Sequence, residues 1–500
     1  MSGGVQGIAL NWDYDLTLSS SKSRIEEDTI NGYQSNLALA GLLNGLQGST
    51  PTTAWNPWGP NTPNIAAAIA ATNYDGVIIR SDITSNDIDG KASRAIFDLP
   101  GGPLSVGVGI NARREAIDLV TPPIVQLGDV SGYGSPILPF SNGRSAYAAF
   151  AELDAPIIKR VELDAAVRTD KYTGVATETS PKGTLRIQAS DQLLLRGSIG
   201  KGFRAPSLPE LYTPQFVSTT ATITDPITGQ RAQYPQLTGG NPALLSEKST
   251  QDSFGFVLEP IKDVSVSLDF FAVRISNTIG SLSPGDVLNF EAAGNPIGKK
   301  LVTRSSTGQI LQISTLNQNL GDLAASGEEV NMRWRSKPFD FGRVSINLTG
   351  TYMNRYDQAL PDGSVEGSVA KTTTNPTSFS TLTAVGNDGG LIMRWKHNLE
   401  LLLEKEDWEV SVTQHFQTGY EDAPDNFGNP HNVGAFATWD AQYAFRPTKD
   451  FKVSLGVKNL FDVNPPAIGQ AGLFFQGGYD PTYYDARARF VYGTLSYKFR

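Results

Sequence analysis

The side chains best suited to chemistry in this 500-residue chain do not assemble into a reaction centre. Its three histidines, His397, His415 and His431, form no H-x-x-H or H-E-x-x-H pair, so a zinc hydrolase has no ligand set. Cysteine is absent, which removes disulfides and thiolate metal sites. No serine sits in a G-x-S-x-G elbow. Gly107-Val-Gly109-Ile-Asn-Ala112 matches a dinucleotide fingerprint in letters, but a period-2 alternation runs through it, and a strand is expected there. Gly200-Lys201 lacks the first glycine and the hydroxyl residue of a phosphate loop. Asp87-Ile-Asp89-Gly90 resembles part of a calcium loop without its closing acid, since Ile96 stands near that place, and reads as a turn. Glu328-Glu329 and Asp422 with Asp425 could be glycosidase carboxylates, with a wet lumen or loop as the plainer account. The chain is expected to be no enzyme and to need no metal or cofactor. What remains is a binding hint: Trp55-Asn-Pro-Trp58-Gly-Pro60 offers flat apolar platforms with N–H handles, suited to sugars or aromatic chelators.

The elements that would position such a site are strands. Gly (50) and Pro (30) are abundant and aperiodic, so many turns are expected. Hydrophobic residues make up 39%, and no run of about 20 apolar residues exists for a transmembrane helix. A net charge of −9 argues against a nucleic-acid partner. The first residues, Met1-Ser-Gly-Gly-Val-Gln, have neither the basic nor the apolar region of a signal peptide.

Stretches of roughly ten residues alternate, the length a tilted strand needs to cross a bilayer. Ile8, Leu10, Trp12, Tyr14, Leu16 and Leu18 fall on one face of a strand over 7–18, with Asn11, Asp13, Asp15 and Thr17 on the other. Val161, Leu163, Ala165 and Val167 oppose Glu162, Asp164 and Arg168. Val264, Val266, Leu268 and Phe270 oppose Ser265, Ser267 and Asp269. Trp408, Val410, Val412 and Phe416 oppose Glu409, Ser411, Thr413 and His415, and His397 shares a face with Trp395 and Leu399 near a membrane interface. The terminal strand carries Gly493, Leu495, Tyr497 and Phe499 on one face and Thr494, Ser496 and Lys498 on the other. Short connections such as 190–192, 262–263, 404–407 and 448–450 alternate with long ones over roughly 19–82, 118–143, 203–246, 276–322, 357–390, 417–433 and 459–486. Short turns at one end and long loops at the other characterise a transmembrane barrel, and about 16 strands are expected.

Two motifs give the pattern a family. Gly202-Phe203-Arg204-Ala205-Pro206-Ser207-Leu208-Pro209-Glu210-Leu211-Tyr212 resembles the G-F-R-A-P-x-x-x-E-L-Y motif of TonB-dependent outer-membrane receptors. Asn459-Leu460-Phe461-Asp462-Val-Asn464-Pro465-Pro466 resembles that family's N-L-F-D-x-x-P-P segment. The last strand is similar to the family's C-terminal signal for the barrel-assembly machinery. Leu99-Pro-Gly101-Gly102, before a strand ending Arg113-Arg114-Glu115, fits one branch of these receptors.

The resemblance implies an all-β, antiparallel transmembrane barrel in the outer membrane of a Gram-negative bacterium, in contact with outer-membrane lipid. It implies binding of a scarce, large solute (an iron–siderophore, cobalamin or an oligosaccharide) and import energised by the TonB complex through an N-terminal plug. Residues 1–500 read as barrel alone, with the plug and about six strands of a 22-stranded barrel outside the sequence. Trp55, Trp58, Tyr212 and Phe216 are the expected ligand contacts, and Arg204 and Glu210 are expected to fix local loop structure. A plugless porin or a barrel adhesin would suit the front of the chain but leaves both motifs unexplained. A secreted glycan hydrolase would require a facing carboxylate pair.

Overall fold

The computed structural model describes all residues except 44–59, 134, 362, 364, 368, 370–390, 423–428, 430, 469–477, 486 and 500. Among the described residues, a short strand, Val365–Gly367, pairs with 357–359, and seventeen others follow one another as an antiparallel meander. They are β1 (Ser2–Ala9), β2 (Trp12–Thr29), β3 (Gly76–Leu99), β4 (Gly102–Val120), β5 (Phe140–Ile158), β6 (Val161–Tyr172), β7 (Thr177–Gln188), β8 (Leu193–Arg204) and β9 (Glu247–Leu258). The sheet continues with β10 (Val264–Ser276), β11 (Leu323–Arg335), β12 (Arg343–Ala359), β13 (Trp395–Lys405), β14 (Trp408–Gln417), β15 (Phe436–Thr448), β16 (Phe451–Lys458) and β17 (Phe490–Tyr497). Each strand pairs with its chain neighbours, and among the described residues β1 and β17 are not paired with each other, so the sheet is a barrel wall left open on one side.

One strand more than the sequence suggests comes from the front of the chain. The expected strand over 7–18 is a hairpin that turns at Leu10 (φ 53°) and Asn11 (φ 62°). Two consecutive left-handed residues make the tight turn whose twist matches the flanking strands. The turn also moves Ile8 to the polar face, where it pairs with Asp13, while Val5 and Gly7 join Tyr14 and Leu16. A two-residue turn is hidden when its residues, here Leu10 and Asn11, happen to keep the alternation. Asp87-Ile-Asp89-Gly90 lies inside β3, not in a turn, with Asp87 opposite Arg113. Gly107 to Ala112 is strand β4, as the alternation predicts.

The ends of the strands differ. At one end the connections are brief, such as 100–101, 159–160, 406–407 and 449–450. At the other they span 30–75, 121–139, 205–246, 277–322, 360–394, 418–435 and 459–489, with 173–176 as a single short exception. The first long connection is shorter than expected because β2 and β3 run on for 18 and 24 residues, well past the 9–11 that a bilayer requires.

The wall is apolar outside and polar inside. Ile110 is 67% exposed, Ile199 63%, Leu455 61% and Leu495 72%, all on one face. Facing the lumen, Arg196 donates bidentately to Asp269 at 2.7 and 2.5 Å, and Glu409 holds Arg446 and Lys452 at 2.6 Å each. Rows of bare Ile and Leu on one face need hydrocarbon as their solvent, and the strand ladder satisfies the backbone there.

Above the wall the described residues of the long connections form three lobes, each with its own core. The largest joins 205–246 to 277–322 around Tyr234, Leu282, Val287, Leu288, Phe290, Val302, Ile310 and Ile313. It contains a four-stranded sheet ordered Val302–Arg304, Ile310–Ser314, Pro235–Thr238 and Phe216–Thr219. The second gathers Leu391, Met393, Tyr420, Val433, Ile468 and Tyr484, and the third Ile78, Val125 and Val130.

Candidate functional site

The residues of the first motif form a structural joint at the outer rim. Arg204 closes β8, donates bidentately to Glu247 of β9 at 2.7 and 2.8 Å, and reaches Glu210 at 3.0 and 2.9 Å. Glu210 sits on the short helix Leu208–Tyr212, where Ser207 Oγ accepts from its N–H at 3.3 Å and Glu210 Oε2 accepts from the Ser207 N–H at 2.6 Å. This reciprocal cap satisfies two backbone donors of the first turn. Burial alone would raise the Glu210 carboxyl, but Arg204 and the Ser207 donors outweigh it and hold it below its usual value. Glu247 accepts in addition from the Ile279 N–H at 2.7 Å, so the Arg204–Glu247 pair joins two strands to both segments of the largest lobe.

Gly202 lies on the strand before this joint, where a Cβ would come within 2.8 Å of Ser249 Oγ. Phe203 meets the Tyr172 ring edge-on at 6.1 Å, and the Pro206 carbonyl accepts from Arg144. Arg144 also pairs with Glu115 and lies 4.7 Å over the Tyr172 ring. Ala205 joins the strand to the Pro206 corner, and Leu211 is buried. Arg204 and Glu210 therefore fix the loop base.

The second motif is an exposed turn anchored on one buried asparagine. Asn459 has φ 49° and is 7% exposed. Its side chain donates to the Val463 carbonyl and accepts from the Val463 N–H, both at 2.9 Å. The Leu460 N–H bonds the Trp439 carbonyl at 2.6 Å, Phe461 meets Trp439 edge-on at 6.5 Å, and Asp462 accepts from the Arg489 N–H at 2.7 Å. The turn thereby ties β15 to the start of β17.

Several recesses open among the described residues, and two of them lie at residues singled out above. One of about 280 Å³ opens between the lobes and is lined by Ile117, Tyr133, Phe140, Pro209, Pro214 and Phe216. The other, of about 510 Å³, lies on the inner wall among Glu329, Asn331, Lys396, Asn398, His415 and Tyr483. There His415 Nδ1 is 2.6 Å from Asn398 Oδ1, and its Nε2 is 3.3 Å from Asp440. The first recess is apolar with aromatic rims, and the second presents both charges and several amides. The first suits a flat apolar group and the second a polar one.

Of the expected contacts, Phe216 lines the outer recess, and Tyr212 stands on the capped helix with its hydroxyl near Gly174. Trp55 and Trp58 lie outside the described residues, as does Asp425. Glu328 and Glu329 point to opposite faces, Glu328 beside Tyr352 and Glu329 opposite Asp269, so they cannot act on one bond. His397 accepts from Trp395 Nε1 at 2.8 Å and stacks on Phe416 at 5.0 Å, on the face it shares with Trp395 and Leu399.

The sequence reading missed the ion cluster that locks the largest lobe. Arg304 donates to Asp225 at 2.8 and 2.9 Å and to Glu291 at 2.8 Å twice. The Asp225 side chain is 2% exposed. The guanidinium beside it, with donors from Thr228 and Ile227, holds the Asp225 carboxyl far below its ordinary value. These residues are 79 and 13 apart in the chain, and no spacing signals them. Lys396, Asn398 and His415 were legible only as the polar face of their strands.

A meander apolar toward the outside, wet within and crowned by long loops defines an outer-membrane β-barrel. A family model described as TonB dependent receptor-like, beta-barrel, matches residues 4–460, and the chain belongs to that family. Among solved structures, it is similar to the siderophore receptor PirA from Acinetobacter baumannii, at 15% identity and TM-score 0.63 over 99% of this chain and 61% of that one. It is likewise similar to a mutant ferric enterobactin receptor, PfeA, from Pseudomonas aeruginosa, at 16% identity and TM-score 0.64 over 99% and 61%. The hemophore receptor HasR of Serratia marcescens, solved with its hemophore and heme, aligns at 14% identity and TM-score 0.57 over 98% and 63%. No curated protein matches the sequence. The chain thus spans about 61% of the length of the first solved receptors it matches, and at such identities the likeness is one of fold.

Proposed function

We propose that residues 1–500 are the barrel domain of a TonB-dependent importer that captures an iron chelate at its outer mouth and passes it along the inner wall. One observation carries the reading: an apolar, aromatic-rimmed recess at the lobes and a larger polar recess on the lumen wall occur in one family member. Solved receptors of similar fold are named for siderophores and for a heme carrier, which supports a flat, multiply oxygenated iron ligand over cobalamin or an oligosaccharide. The chemistry is non-covalent: Phe216 and Tyr212, with Trp55 and Trp58, contact the ligand, and no residue of the chain is catalytic. The plug that couples the barrel to TonB lies outside residues 1–500 in this reading. The terminal face of Gly493, Leu495, Tyr497 and Phe499 serves the barrel-assembly machinery, consistent with Leu495, Tyr497 and Phe499 being exposed.

Ferric catecholates, heme and cobalamin are titrated onto the purified protein, with tryptophan quenching as the readout. Saturable quenching by a ferric catecholate or heme that weakens in Phe216→Ala is expected, together with iron uptake that stops when TonB is inactivated. Uptake independent of TonB would favour a porin, and saturable binding of cobalamin alone would refute the iron reading.

A further inference from the structure

The outward face of β2–β6 carries an ordered set of charges just beyond the lipid-facing band. The register puts Leu18, Ile88, Ala112, Tyr147 and Lys171 in one row across the five strands. Ile88 and Tyr147, 52% and 58% exposed, mark it as the outer margin of the band. One step toward the long-loop end, Ser20, Asn86, Arg114 and Ser145 form the next row, and Lys22, Thr84, Ala116 and Gly143 the one after.

These three rows hold three cations and no carboxylate, although the whole chain carries a net charge of −9. Acids of this face begin one row further out, where Arg24, Asp82 and Asp118 align, followed by Glu26 and Arg80. They do not neutralise the patch. Asp82 is shared between Arg24 at 2.7 Å and Lys22 at 3.4 Å, and over all five rows Lys22, Arg24, Arg80, Arg114 and Lys171 face only Asp82, Asp118 and Glu26, so the face keeps a positive excess. Arg114 is exposed and has no acidic partner among the described residues. The Lys171 ammonium is spent on a neutral acceptor, the Val175 carbonyl at 2.8 Å.

A cation on the solvent-filled inner face would face water or protein, but the alternation places these three on the face that continues the lipid band. At that height the neighbouring molecules are lipid headgroups, and long Lys and Arg side chains reach them while their stems lie on apolar surface. Arg114 offers a planar fork that matches phosphate oxygens, flanked on either side by ammonium point charges.

We infer that Lys22, Arg114 and Lys171 bind phosphate-bearing headgroups of the outer-leaflet lipid. The patch is separate from the ligand path, because it lies on the opposite face of the wall from Arg113, Glu115 and Asp87.

The test uses the full chain in neutral detergent and native mass spectrometry to count retained lipid. Phosphatidic acid is titrated against phosphatidylcholine and inorganic phosphate. Preferential retention of phosphatidic acid is expected, with affinity falling about five-fold for each charge removed in Lys22→Gln, Arg114→Gln and Lys171→Gln. Lys262→Gln, in a short turn at the opposite end, should leave retention unchanged. Circular dichroism verifies the β-sheet of each variant, and the single substitutions stand in for a triple variant that fails to fold. Equal retention of phosphatidylcholine, or a triple variant that binds as the parent does, overturns the proposal. So does inorganic phosphate binding at these residues as tightly as the lipid, which would make the patch a free-phosphate site.

Discussion

The wall and the lobes solve the same problem in opposite directions. In the wall, Leu268 and Leu195 face outward and their polar neighbours Asp269 and Arg196 face inward, so the apolar groups contact a solvent the protein does not supply. In the largest lobe, Val287, Leu288 and Ile313 are fully buried among their own kind, and charge is admitted only where Arg304 meets two carboxylates. The wall draws its backbone satisfaction from the ladder and its apolar stabilisation from the membrane, whereas the lobes must generate both within a few dozen residues. One chain therefore contains two rules for what "inside" means, and mutations should report which rule governs a position.

The largest expected effect is in the lobe. Arg304→Met leaves Asp225 and Glu291 facing each other without a cation, at a cost of about 3–5 kcal/mol. Limited proteolysis within 277–322 should accelerate sharply, while the strand core stays protected; an unchanged cleavage rate would show that the ion cluster is not the lock.

A leucine pair compares the two regions directly. Leu288→Ala opens a cavity that the lobe cannot refill, costing about 2–5 kcal/mol. Leu268→Ala should cost less, because acyl chains flow into the space, but Leu268→Arg should cost about 2–4 kcal/mol if it lies near the midplane. Refolding titrations into lipid vesicles measure both. If Leu268→Arg were neutral there, the outward face would not be in hydrocarbon.

Acid sharpens the contrast further. The Asp225 carboxyl has a depressed value, so its contribution is fully present above the usual aspartate range near pH 3.9 and is lost as pH falls toward the folded value. Pepsin sensitivity of the lobe should rise in that window, and the rise should be absent in Asp225→Asn, which lacks the titrating group. The smallest effect is at the joint between the regions: Ser207→Ala removes one half of the helix cap and costs about 1 kcal/mol, read as a modest drop in lobe melting temperature.

Much of the wall was legible because strand alternation is local. The faces assigned to Val264 through Phe270, Val161 through Val167 and Trp408 through Phe416 all hold in the register. The reading failed where local pattern and pairing part company. Leu10 and Asn11 keep the alternation yet reverse the chain, which put Ile8 on the wrong face. Asp87 to Gly90 has turn-like composition but sits mid-strand, where Arg113 lies opposite Asp87. The two motifs announced a family in the sequence, but their work as a two-strand clamp and an asparagine-anchored turn emerged only from Glu247, Asp440 and Arg489, residues distant in the chain.

The sequence alone determined that strands of this chain present one oily and one wet side, because that property depends only on residue i and its neighbours at i±2. It also determined which end bears the loops, since turn and loop lengths are counted along the chain. Tertiary structure decided which distant loops share a core, which carboxylates Arg304 holds, and where recesses open between lobes and along the wall. Those outcomes rest on contacts between residues tens of positions apart, whose energies exist only once the sheet has fixed the ends of each loop in space.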